Sequence, residues 1–141
     1  MTAINAEVRR ALTAGRLAHL TTLNHDGSPQ VTVVWVGVEG DEIVCAHLME
    51  SHKVRNIRRD PRVVLSLLTG GKTPMGLDEY LVVNGHAKIH AGGAPELLQT
   101  LAETYIGPGV KFPPKEISSP GFVTHIVIDR VGGVGPWASI G

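Results

Sequence analysis

Gln30-Val31-Thr32-Val33-Val34-Trp35-Val36-Gly37-Val38 decides how the rest of the chain must be arranged. Successive side chains of a strand point to opposite faces, so this run puts Val31, Val33 and Trp35 on one side and Val34, Val36 and Val38 on the other. A strand that is apolar on both faces needs cover on both, a core within and a second layer or a second chain outside. Upstream, Asn24-His25-Asp26-Gly27 carries an Asp-Gly turn, which favours positive φ and joins the run to a strand from Arg16 to Leu23. Downstream, Glu39-Gly40-Asp41 is a second tight turn, leading into a strand from Glu42 to Leu48.

Further strands are expected over Pro61–Leu68, Glu79–Ala91 with Gly85 as a bulge, and Phe122–Val131. The residues 69–77 are expected to form a loop, and the last ten a glycine-rich tail carrying Trp137. Three segments have helical spacing instead. Ile4, Val8, Ala11 and Leu12 mark a helix capped by Thr2 or Asn5. Ser51 opens a second, which Asp60-Pro61 closes. Pro95 sits in the first turn of a third, from Ala94 to Ile106. Most links are short, so the strands pair antiparallel. The expected fold is mainly β (α+β), a single domain over residues 1–141 with six antiparallel strands in a small barrel and short helices at its margins.

Composition narrows the function. Thirteen basic and thirteen acidic residues cancel, which disfavours a general nucleic-acid or membrane-surface binder. No apolar run approaches the roughly 18 residues of a membrane span, and the start has no apolar secretory core, so a cytoplasmic protein is expected. The lone Cys45 leaves no internal disulfide and no cysteine-cluster metal site. His86 and His90 lie on one strand, about 13 Å apart at roughly 3.3 Å per residue, so one metal ion cannot take both. Gly71-Lys72-Thr73 lacks the earlier glycine of a phosphate-binding loop, since Ser66 stands there, and Pro74 forbids the helix that should follow.

Charge is concentrated in one place. Residues 53–62 hold Lys53, Arg55, Arg58, Arg59 and Arg62 against Asp60 alone, a local balance of +4 in a chain of net charge zero. Lys53 and Arg55 fall in the first turn of a helix, where the dipole disfavours cations. A phosphate beside the first-turn amides and these two side chains would reverse that cost.

Several stretches resemble the pyridoxamine 5′-phosphate oxidase-like split β-barrel superfamily of the flavin-binding type, and within it the F420-dependent flavin/deazaflavin oxidoreductase branch. They are Ala14-Gly15-Arg16-Leu17-Ala18, Leu23 through Gln30, the run Ser51-His52-Lys53-Val54-Arg55-Asn56-Ile57-Arg58-Arg59-Asp60-Pro61-Arg62, Gly85 with Ala87, and Gly135-Pro136-Trp137. The resemblance implies a homodimer with two cofactor sites at the interface. It implies that Lys53 and Arg55 bind the cofactor phosphate, with hydrogen bonds from Ser51 and Asn56. Gln30, Thr32 and Val34 would line the ring edge, Ala46 and His47 would lie across from them, and Trp137 would approach from the partner chain. The implied reaction is hydride transfer from reduced coenzyme F420 to a conjugated small-molecule acceptor, an enone, quinone or tetrapyrrole. His25 and His47 are candidate proton donors. Arg58, Arg59 and Arg62 would provide a positive field for the polyglutamate tail of F420. Alternatives are an FMN-dependent oxidase or reductase on the same barrel, and a non-enzymatic F420 carrier or haem-binding protein.

Overall fold

The run 30–38 is two strands rather than one. In the computed structural model, which describes residues 4–114 and 117–138, β2 (Pro29–Val34) ends where Trp35 and Val36 leave the ladder, and a short β3 (Gly37–Glu39) follows. The break has a specific cause. The Val36 amide donates to the Tyr105 hydroxyl at 2.9 Å, and that hydroxyl donates to the Arg16 carbonyl at 2.8 Å. The Trp35 ring stacks on the Tyr105 ring at 5.1 Å. A side chain 69 residues downstream therefore takes over the backbone group that a continuous strand would have used.

The remaining elements are α1 (Ala6–Leu12), β1 (Ala18–Leu23), β4 (Glu42–His47), α2 (His52–Arg59), β5 (Arg62–Lys72), β6 (Asp78–Ala91), α3 (Ala94–Tyr105) and β7 (Phe122–Val134). The sheet thus has seven strands, not six, in the order β2-β1-β5-β6-β7-β4-β3, every pair antiparallel. The sheet does not close, because its two edges, β2 and β3, are consecutive in the chain but not paired. This is a split barrel.

Two sequence boundaries move. The hairpin from β5 to β6 runs on to Lys72, whose ammonium pairs with Asp78 at 2.8 Å, so part of the expected loop at 69–77 is strand. Likewise β7 absorbs Gly132 and Gly133, which pair with Val82 and Leu81. A Cβ at Gly133 would strike the Tyr80 carbonyl, so this glycine allows close backbone approach, and the pair belongs to the ladder rather than to a loose tail. The β6–β7 register shifts between Asn84 and Gly85, so the bulge expected at Gly85 is there, but the extra residue is Asp129 on the facing strand β7. Asn5 is the N-cap of α1, accepting from the Val8 amide at 2.9 Å, while Thr2 lies outside the described residues.

Leu20, Ile43, Leu65, Leu81, Val83 and Ile126 fill the barrel interior, with Leu12 of α1 and Ile57 of α2 closing on them. Full burial of such side chains contributes roughly 1.5–3 kcal/mol each. Among the described residues no helix is long and apolar enough to cross a membrane.

Candidate functional site

The split lies between β2 and the second half of β4. Only Glu42, Ile43 and Val44 of β4 pair with β3, so Cys45 to His47 have no neighbour on that side. The chain then turns through Leu48–Ser51 into α2, whose start lies beside this gap. Gln30, Thr32 and Val34 pair with Thr22, Leu20 and Ala18, all buried, and so face inward. His47 shares the inward face of β4 with Ile43 and Cys45. Ala46, one residue away, is on the outward face with Val44. The structure therefore brings His47 to the side of Gln30 and Thr32, and does not bring Ala46 there.

Ser51 has the extended backbone of an N-cap, yet its side chain does not cap α2. Its Oγ is enclosed and has no hydrogen-bond partner among the described residues, and the same holds for Thr32 Oγ1. No acidic residue stands in the first turn of α2. Lys53 is half-buried and forms no ion pair among the described residues. Burial lowers the pKa of its ammonium, opposed only by nearby Cys45. A cation drawn partly out of water without a counter-ion, an uncapped helix start and two idle hydroxyls together fit an anionic group with further hydrogen-bonding edges. The residues present fit a phosphate-bearing cofactor.

The other basic residues differ from what charge counting implied. Arg55 Nη1 donates to the Glu50 carbonyl at 3.0 Å. Arg58 pairs with the Glu50 carboxylate and lies 5.0 Å over the Phe122 ring. Arg62 pairs with Asp60 at 2.7 Å, holding that carboxyl down to about 2. Arg59 donates to the Leu23 carbonyl and to Asn56 Oδ1. Of the three arginines expected to face a polyglutamate tail, two are thus matched by carboxylates of their own chain.

Asn56 is also redirected. It is 1% exposed, and its amide donates to Thr22 Oγ1 and Asn24 Oδ1, both at 3.0 Å, and to Gln30 Oε1 at 3.4 Å. Its donors are occupied inside the protein, so Asn56 does not donate to a phosphate. It locks α2 to the β1–β2 hairpin and holds the Gln30 carbonyl, which also accepts from Thr22 at 3.2 Å. Among the described residues the Gln30 NH₂ has no hydrogen-bond partner. Sequence reasoning missed Thr22, Asn24 and His52, whose Nε2 lies 2.8 Å from Asn24 Oδ1. Ser51 to Asn56 carried the motif, but nothing local marks Thr22 on β1 or Asn24 in the following turn as the partners of Asn56.

His47 is unsuited to donating a proton. It is 6% exposed, its Nε2 lies 2.6 Å from Thr124 Oγ1, and burial, reinforced by Lys53, lowers its pKa to about 4. It is neutral at pH 7. His25 is exposed on the β1–β2 turn. Cys45 is an inert thiol, pushed up to about 12 by burial. Trp137 lies near the opposite end of β7 from the residues that pair with His47. Its indole donates to the Tyr80 carbonyl at 3.1 Å, and its ring packs on the core. Within one chain it does not reach Lys53.

A sequence model of pyridoxamine 5′-phosphate oxidase matches residues 4–134. Among solved structures, one described as an F420 reductase is 23% identical, covering 92% of this chain and 98% of its own, with a TM-score of 0.73. A conserved hypothetical protein of Mycobacterium tuberculosis is 26% identical over 100% of this chain and 94% of its own, also with a TM-score of 0.73. An FAD-binding protein of Mesorhizobium loti is 20% identical over 92% of this chain and 94% of its own, with a TM-score of 0.64. No curated protein matches the sequence.

Proposed function

Because the chain belongs to the pyridoxamine 5′-phosphate oxidase family over residues 4–134, we propose that it is a cytoplasmic oxidoreductase holding a phosphate-bearing flavin-type cofactor in the split of the barrel, and that this cofactor is coenzyme F420. The observation that carries the reading is Lys53, a half-buried cation that, among the described residues, has no counter-ion and lies beside the uncapped start of α2 and a Ser51 Oγ without a partner. The likeness to the F420 reductase supports the choice of deazaflavin.

When bound, reduced F420 supplies a hydride for a conjugated acceptor such as an enone, quinone or tetrapyrrole. The chain's own residues anchor, orient and exclude water. Lys53, the first-turn amides of α2 and Ser51 hold the phosphate. Gln30, fixed through its carbonyl by Thr22 and Asn56, offers its NH₂ to a ring edge, and Thr32 adds a hydroxyl. Val34 and the buried wall behind it keep water from that side. With His47 neutral and bonded to Thr124, the proton that completes the reduction comes from solvent.

The working unit in this reading is a homodimer. Val31, Val33 and Leu68 are 57%, 54% and 61% exposed on the outer face of β2 and β5, a patch of the kind that subunit interfaces cover. In this reading a second copy covers that patch, and its Trp137 approaches the cofactor from the partner chain.

One observation favours FMN as a second reading. Arg58 and Arg62 are matched by Glu50 and Asp60, so the field for a polyglutamate tail is weaker than the charge count implies. Titration of the pure protein with oxidised F420, FMN and haemin distinguishes the readings, followed by mixing with reduced F420 and a quinone and enone panel. Tight F420 binding with acceptor turnover supports the proposal. Tight FMN binding without F420 affinity at low salt replaces F420 by FMN. Binding without turnover makes the protein a carrier.

A further inference from the structure

A cavity of about 790 Å³ lies between α3 and the outer face of β3, β4 and β7. It is separate from the split, because β4 serves the two from opposite faces: Val44 lines the cavity while Cys45 and His47 point inward toward Lys53. The volume falls within the range of small-molecule sites. Val44 and Val123 line it from the sheet, and Leu97 and Leu101 from α3. Gly37 brings the helix close, since a Cβ there would meet Leu101 Cδ2 at 2.9 Å.

The polar lining is one-sided. Glu39 and Glu96 stand at the rim, and no lysine or arginine is among the lining residues described. His125 Nδ1 lies 3.1 Å from Glu42 Oε1, while the other oxygen of that carboxylate reaches Lys88 Nζ at 3.6 Å. A carboxylate only accepts, so the Nδ1 of His125 donates to Glu42. The His90 ring lies 4.4 Å from that of His125, tilted by 40°, adding a flat face. Apolar walls, a flat imidazole face and two rim carboxylates, with no lysine or arginine among the lining residues described, complement a ligand that is itself apolar, flat and positively charged.

We propose that this cavity is a second small-molecule site and that it takes a compact aromatic cation of the amidinium or ammonium class. The charged end meets Glu39 and Glu96, and the ring lies against Val44, Val123 and Leu101. An anion finds no donor side chain of opposite charge there, and a neutral ring forgoes the carboxylates.

The test is an amide-resolved NMR titration of the full chain with three probes of similar size: benzamidine, benzyl alcohol and benzoate. Benzamidine is expected to shift the Val44, Gly93, Leu101 and Val123 amides saturably and to bind at least fivefold more tightly than benzyl alcohol, with benzoate weakest. Glu39→Gln combined with Glu96→Gln should abolish most of that preference while leaving the spectrum folded, because both carboxylates are exposed. Equal binding of benzamidine and benzyl alcohol overturns the proposal, as do an unchanged preference in the double variant and saturable shifts confined to the Ser51–Lys53 amides.

Discussion

Replacing Lys53 by Met separates an anion-binding lysine from a merely structural one. In the ligand-free protein the ammonium is half-buried, lowered in pKa by that burial and without an ion-pair partner among the described residues. Removing the charge should therefore leave the free protein as stable as before or raise its stability by on the order of 0.5 kcal/mol, or about 1–2 °C for a chain of this size. The sign of the pH dependence agrees. A lysine with a depressed folded pKa is protonated more in the unfolded state between its folded value and 10.5, so its effect on stability is unfavourable at neutral pH and is relieved as pH rises through that window. With a phosphate-bearing cofactor the order reverses. Loss of one charge-assisted contact costs about 1.5–3 kcal/mol, roughly tenfold to a hundredfold in affinity. At a ligand concentration near 100 times the wild-type Kd, the bound protein gains about 2.7 kcal/mol, and a tenfold weaker variant gains only about 1.4 kcal/mol. Thermal unfolding with and without F420 and FMN reads both effects. Lys72→Ala is the control, since Lys72 pairs with Asp78 on an exposed hairpin. Identical ligand-induced shifts in wild type and Lys53→Met would refute the assignment, as would a ligand-free variant destabilised by more than about 1 kcal/mol.

Asn56→Ala should cost about 2–3 kcal/mol in urea unfolding, because it strips hydrogen bonds from Thr22, Asn24 and Gln30 at a buried junction; a loss under about 0.5 kcal/mol would mean the network is not holding α2. His47 is held neutral with a folded pKa of about 4, so between pH 6.5 and 4 the unfolded chain binds the extra proton and stability falls as pH falls, by up to roughly 1.4 kcal/mol per unit. His47→Asn should flatten that part of the pH–stability curve relative to wild type, and parallel curves would count against the burial argument. Val33→Glu, on the exposed apolar face of β2, should convert a dimer to a monomer in light scattering. A wild-type chain that already runs as a monomer would remove the composite site.

What the sequence determined is what repeats locally. Alternation placed β1, β4 and β6 to within a few residues, Asp-Gly and Glu-Gly-Asp placed the turns, and Ser51 to Arg59 announced both a helix and a concentration of positive charge. These signals are local because side-chain direction in a strand and capping at a helix start are set by neighbours in the chain. What only the tertiary structure decided was set by groups far apart in sequence. The Tyr105 hydroxyl splits residues 30–38 into two strands, and the β6 ladder draws Gly132 and Gly133 into β7. Glu50 and Asp60 neutralise arginines that a charge count leaves free. Asn56 turns inward to Thr22 because folding brings α2 against β1, and Ala46 and His47 part company because the pleat sends one outward and one in. The sequence names the residues able to hold an anion. Which of them stay uncommitted after the protein has satisfied its own buried polar groups is a property of the packed structure, because an unpaired polar group is costly only once water has been excluded from it.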